Sequence, residues 1–141
     1  MAIRNKTVIV GTGRLGTGIA NRASNEGKDV IVIDPSSASF LRLDDTFFGF
    51  KVIGDATDMY TLEHNCDIKR AEEVVIVTGD DNVNLFLAHV CSVVYGVPKI
   101  FVRFNDPDRG DLIKGLANVK AVYPFELSLN KIDEMEDEEG K

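Results

Sequence analysis

Six short runs of β-branched and other apolar residues recur along the chain, spaced to leave room for a helix between most successive runs. They are Thr7-Val8-Ile9-Val10, Val30-Ile31-Val32-Ile33, Phe50-Lys51-Val52-Ile53, Val74-Val75-Ile76-Val77, Lys99-Ile100-Phe101-Val102 and Lys120-Ala121-Val122-Tyr123. Most are continuously apolar rather than alternating, as strands covered on both faces must be. The intervening segments switch to helical spacing. Residues 14 to 26 place Leu15, Ile19, Ala20 and Ala23 on one face and stop at Gly27, which suits the position just past a helix end. Residues 58 to 65 open at Asp58 as N-cap, with Met59 and Leu62 facing inward. Residues 81 to 95 open after Asp80 and close at Gly96-Val97-Pro98, with Leu85, Ala88, Val90 and Val93 offering apolar area. A short helix over 107 to 116 takes Pro107 at its first position and turns Leu112, Ile113 and Leu116 to one side. Pro35 to Gly49 is expected to be a short helix ending in a loop. Strand and helix alternate throughout, which predicts an α/β fold: a doubly wound, mostly parallel sheet of about six strands, Rossmann-like.

The length of 141 residues is that of one domain, and 44% apolar with 28% charged residues is the balance of a soluble globular chain. The net charge of −7 is unevenly placed: residues 131–141 alone carry −4 and the body only about −3. Residues 1–130 are therefore read as a Rossmann-like nucleotide-binding domain, and 131–141 as an acidic tail, a fraying solvated helix end. With no basic stripe, the phosphate backbone of nucleic acid is not an expected partner. No apolar stretch approaches the length of a spanning helix, and Met1 to Lys6 lacks the apolar core of a signal peptide. A cytosolic protein without direct membrane insertion is expected. Cys66 and Cys91 have neither CxxC spacing nor a nearby His pair, and read as buried thiols. His64 and His89 read as ordinary helix histidines, and nothing in the chain resembles a catalytic constellation.

Chemistry is concentrated where strands end. Gly11-Thr12-Gly13-Arg14-Leu15-Gly16 follows the first strand and opens the first helix, and Asp34 closes the second strand about 20 residues on. In that context Gly11 permits a tight turn, Gly13 lets backbone amides approach a pyrophosphate, and Gly16 lets helix and strand pack closely. Amides at the helix start then face the anion. Asp34 can accept both hydroxyls of an adenosine ribose and would repel a 2′-phosphate, which disfavours NADP, although Arg42 lies near in sequence. Gly54-Asp55-Ala56-Thr57-Asp58, Thr78-Gly79-Asp80-Asp81-Asn82 and Arg103 follow later strands at the same edge, so four polar clusters share one rim.

The order of these motifs, GxGRxG, strand-terminal Asp, GDATD, VVIVTGDDxxN and VRxNDP, closely resembles the N-terminal nucleotide-binding domain of RCK proteins, the regulator-of-potassium-conductance or Trk-type potassium-uptake regulatory family. The resemblance runs from about residue 6 to about residue 125. It implies binding of NAD(H), ATP, ADP or AMP without redox chemistry, and assembly into homodimers or rings beneath a potassium channel or transporter at the inner face of the membrane. It assigns Gly11, Thr12, Gly13, Arg14, Leu15 and Gly16 to the phosphate loop and Asp34 to the ribose. Asp55, Ala56 and Thr57 fall to the adenine side, Thr78 and Gly79 to the turn under ribose and phosphates, and Arg103 to the basic residue after the fifth strand. Arg14 is the residue that would meet a terminal phosphate, in some rings across a subunit boundary. Two departures stand out: Tyr123-Pro124-Phe125-Glu126 replaces a Pro-Glu pair after the last strand, and the C-terminal ligand-sensing domain of full-length members has no counterpart in these residues.

Three functions compete at this level: a regulatory nucleotide-binding domain of potassium transport, an NAD-dependent oxidoreductase, and a nucleotide-dependent assembly module unrelated to potassium. The second needs a substrate-binding portion for which 141 residues leave no room. For the third, Phe40, Leu41, Phe47, Phe48 and Leu127-Ser128-Leu129 offer interface area, with core expected for most of them.

Overall fold

All six apolar runs form strands: β1 (Lys6–Val10), β2 (Asp29–Asp34), β3 (Phe50–Ile53), β4 (Ala71–Ile76), β5 (Lys99–Arg103) and β6 (Val119–Val122). The structure is a computed structural model that describes residues 3–140; what was read from Met1, Ala2 and Lys141 lies outside the described residues. The strands make one sheet in the order β3-β2-β1-β4-β5-β6, with every neighbouring pair parallel. Central position explains their composition. β1, β2 and β4 are screened on both faces, so Val8, Ile9, Val30, Val32, Val74 and Ile76 have no exposed surface at all.

Right-handed crossovers decide which helix lies on which face. The chain steps from β1 to β2 to β3 in one direction, and this puts α1 (Arg14–Asn25) and a 3₁₀ segment, Ser37–Arg42, on one face. There Ala20, Ala23, Phe40 and Leu43 pack on Ile9, Val30, Val32 and Val75. The return to β4 and the steps to β5 and β6 run the other way, so α2 (Met59–His64), α3 (Asp81–His89) and a 3₁₀ segment, Pro107–Ile113, cover the opposite face. Leu62, Leu87, Ala88 and Ile113 pack there on Val8, Ile31, Val74, Ile100 and Val102.

The expected helix over 81–95 is α-helical only to His89 and continues as a π turn over Val90–Val94, where the Tyr95 amide donates to Val90 O (3.1 Å). The wider turn leaves Val93 exposed, against expectation. Over 107–116 the helix is 3₁₀ and ends at Ile113, so Ile113 points inward while Leu112 does not. Met59 is also exposed, because α2 has fewer than two turns and only Leu62 reaches the sheet. Of the residues expected mostly in the core, Phe40 is buried and Phe47 half-buried, whereas Leu41, Phe48, Leu127 and Leu129 are exposed.

Two features share one cause. Leu15 is exposed and Ile19 half-buried because the α1 face of the sheet is covered only on its β3-β2-β1 side. Beyond it, Leu15, Ile19, Val75, Val77, Phe101 and Val122 line an open apolar groove of about 340 Å3. The last helix, α4 (Pro124–Glu139), does not return to fill it. This helix begins at Pro124, runs through residue 130 without a break, and buries none of its residues. The acidic stretch is thus the second half of a continuous 16-residue helix.

Candidate functional site

The strand order reverses between β1 and β4, and there the loops leaving their carboxyl ends part to open a cleft. Gly11 makes the first turn with φ +99°, and a Cβ on it would sit 2.9 Å from the Thr78 amide nitrogen, so the two loops approach as closely as backbone allows. Gly13 precedes α1 as a cap without a side chain, and no acid stands in the first turn. The first intrahelical bond is Thr17 N to Gly13 O (2.9 Å), which leaves the amides before Thr17 without helical acceptors. A Cβ on Gly13 would meet no protein atom within 4 Å, so the backbone is open there, and Gly13 lines the cleft.

The cleft holds about 590 Å3, within the range that takes a nucleotide. Asp34 closes β2 at its rim. Its carboxylate accepts from the amides of Thr12 and Ser36, both at 2.9 Å, and so fixes the glycine loop to the end of the second strand. Thr12 also hydrogen-bonds Ser39 through their hydroxyls, and Thr17 Oγ1 donates to Thr12 O (3.1 Å). The loop is therefore shaped by protein contacts alone. Gly54, Asp55 and Ala56 form the wall after β3. Asp55 accepts from the Thr57 hydroxyl (2.7 Å) and amide (2.9 Å), which together hold its carboxyl below the usual carboxylate range.

The opposite wall is Val77 to Asp80 with Arg103. Asp80 caps α3, accepting from the amides of Asn82 (2.9 Å) and Val83 (3.3 Å). Fully buried Asn84 fastens this wall: its Nδ2 donates to Thr78 O (3.0 Å) and Arg103 O (2.9 Å), while the Thr78 hydroxyl bonds its Oδ1. Arg103 Nε donates to Asn105 Oδ1 (3.2 Å), and its guanidinium lies 5.9 Å from the centroid of the Phe125 ring at the start of α4.

Of the residues singled out in the sequence, Gly11, Thr12, Gly13, Asp34, Asp55, Ala56, Thr78, Gly79 and Arg103 line this one cleft. Gly16 supports it from behind, packed on the Gly11 carbonyl. Thr57 lies outside the lining and holds Asp55 through its amide and hydroxyl. Arg14 and Leu15 lie apart, on the exposed side of α1 beside Gly18, Ile19 and Arg22. Ser39 also lines the cleft and went unnoticed in the sequence, while Arg42 joins it as proximity to Asp34 hinted. His64 stacks on Tyr60 (ring centroids 4.2 Å apart) and His89 Nδ1 bonds Leu85 O (3.0 Å), both away from the cleft. Cys66 and Cys91 are free and buried, and burial pushes both thiols up to about 12.

An adenosine nucleotide fits this donor set: a carboxylate for the ribose, open amides and a guanidinium for phosphate, and a backbone wall for the base. Residues 7–124 match the family model of the TrkA-N domain. A Trk system potassium uptake protein TrkA of Streptomyces coelicolor is 35% identical over 109 residues, which are 77% of this chain and 48% of that protein. The chain spans about half the length of the curated relatives it matches. Among solved structures, a GsuK channel bound to NAD superposes with a TM-score of 0.81 at 26% identity, covering 96% of this chain and 24% of that one. GsuK bound to ADP gives a TM-score of 0.77 at 25% identity, covering 92% and 33%.

Proposed function

This chain belongs to the TrkA-N domain family, and on that basis we propose that it is the regulatory nucleotide-binding domain of a potassium transport system. The observation that carries the proposal is the cleft between β1 and β4, with open space at Gly13 for a pyrophosphate and the Asp34 carboxylate at its rim for a ribose. The solved relatives bound to NAD and to ADP support the ligand class. We assign NAD(H), ATP, ADP or AMP to the cleft and disfavour NADP, whose 2′-phosphate Asp34 would repel. The domain binds and signals, and is not an enzyme; its relatives are potassium uptake proteins and a channel.

Regulation follows if ligands of different phosphate content favour different geometries of an assembly, since a ligand shifts an equilibrium only by its differential affinity. The assembly is a homodimer or higher ring, held on the cytoplasmic side of the membrane by a channel or transporter subunit. α4 supplies the contact. Leu129, Ile132 and Met135 form an apolar stripe at helical spacing, all exposed. Acids surround the stripe, whereas the groove beside α1 carries Lys120 opposite Glu73, and Arg14 and Arg22 stand in the adjoining hollow that shares Leu15 and Ile19 with it. A second copy's α4 in that groove covers both apolar surfaces and pairs opposite charges, and it brings Arg14 to the subunit boundary. Residues 1–130 then act as the binding domain and 131–141 as part of the contact.

The test is isothermal titration of ligand-stripped protein with NAD, NADH, ATP, ADP and AMP, with light scattering on each complex. Binding by at least one ligand with a change in assembly state is expected; a folded sample that binds none of the five refutes the proposal. Asp34→Ala should weaken binding by about 1–3 kcal/mol, because a charge-assisted ribose contact and an anchor of the Thr12 amide are lost together. Unchanged affinity in a folded variant would move the ribose elsewhere.

A further inference from the structure

Arg103 occupies two places at once. It lines the cleft, and its guanidinium rests near the Phe125 ring at 5.9 Å, the outer edge of a cation–π contact. Its backbone is pinned, since Arg103 O accepts from buried Asn84, and the Asn105 amide two residues on is held by Asp81 Oδ1 at 2.8 Å. Only the side chain is free to choose. Its one protein hydrogen bond among the described residues is from Nε to Asn105, which leaves the terminal guanidinium nitrogens for a ligand. Phe125 is its other partner and stands in the first turn of α4, the helix with no buried residue.

Resting on the reading of the cleft as a nucleotide site, we propose that Phe125 is a positioning residue of that site: its ring competes with a bound phosphate for the Arg103 guanidinium, so that ligand charge is read out at the first turn of α4. A phosphate in the cleft offers the guanidinium a charged, bidentate partner that outweighs a ring face. Drawing Arg103 inward uncovers Phe125 and loosens the start of the helix, whereas a ligand without phosphate leaves the contact in place. Sequence supplies the means, because Phe125 stands directly after Pro124 at the start of the helix, where a carboxylate would instead have held Arg103 in an ion pair.

The test compares ADP with adenosine on the full chain. Phe125 is exposed, so Phe125→Ala should fold, as circular dichroism will show. It is expected to bind ADP about two- to fivefold more tightly, with adenosine unchanged, because only the phosphate competes with the ring. Phe125→Leu should behave like alanine and Phe125→Trp should restore wild-type affinity; the new indole, in a chain that has no tryptophan, should change its emission with ADP and not with adenosine. A ratio of ADP to adenosine affinity equal to that of wild type, or weaker ADP binding in Phe125→Ala, overturns the inference while leaving the cleft assignment intact. Wild-type protein that binds neither ADP nor adenosine overturns the cleft assignment and this inference with it.

Discussion

Gly16→Ala is expected to lower the unfolding midpoint by about 10 °C or more, or to yield insoluble protein. A Cβ at this position lies 1.8 Å from the Gly11 carbonyl oxygen and 3.1 Å from Val77 Cγ2. Neither neighbour can yield easily. The Gly11 carbonyl belongs to a turn at φ +99° whose amide bonds Ile33 O (2.9 Å), and Val77 is fixed by its amide to Val10 O (2.9 Å). The methyl group fits only if α1 lifts from the sheet, which uncovers Ala20 and Ala23 from Ile9 and Val32. Overpacking of an ordinary core costs about 1–3 kcal/mol, and a backbone collision in the centre of the sheet belongs at or above the top of that range. Against a total stability of about 5–15 kcal/mol the loss is large. A thermal melt within about 2 °C of wild type would show that the helix does not need this approach.

Gly13→Val should give the opposite pattern: a normal melt and affinity for NAD or ADP reduced by about 100-fold or more. Position 13 has φ −72° and ψ −163°, extended backbone that valine adopts readily, and a Cβ there touches no protein atom within 4 Å. The β-carbon therefore meets no protein, and the side chain enters the space assigned above to the ligand. It stands before the unpaired amides of the first turn, so at least two charge-assisted hydrogen bonds to phosphate are lost, at about 1.5–3 kcal/mol each. Isothermal titration beside circular dichroism decides the matter. A folded variant that binds as wild type does would mean that phosphate never approaches this loop.

Two glycines three residues apart thus carry opposite burdens, and the spacing of the motif alone foretells both. So did the continuous apolar runs foretell the sheet, since Val30 to Ile33 and Val74 to Val77 can be screened only between two layers. What patterning did not reveal is what lies opposite each face. Leu15 and Ile19 have the right helical spacing for a core, yet the sheet beneath them is half bare, because the helix after β6 projects away instead of folding back. Leu127 and Leu129 are exposed for the same reason. Ser39 was invisible because a 3₁₀ segment carries no periodic signal, and the packing of Phe40 on the sheet with the bond between Thr12 and Ser39 brings that segment over the glycine loop. The cleft residues singled out farthest apart in sequence, Gly11 and Arg103, were legible because strand ends at a topological switch point converge on one place. Thr57 and Arg14 fell on the right motifs but not in the cleft, since a motif marks a stretch of chain and not the direction of each side chain.

A 16-residue helix that buries none of its residues stands near the length at which a helix in water is only marginally formed. In the assembly proposed above another copy covers it, and such coverage obeys mass action. The backbone amides of residues 128–139 become a concentration gauge: open to solvent exchange in dilute protein, protected as molecules associate, with helical content rising alongside oligomer size. Folding of this last element and assembly are then a single equilibrium, and any ligand that shifts one shifts the other.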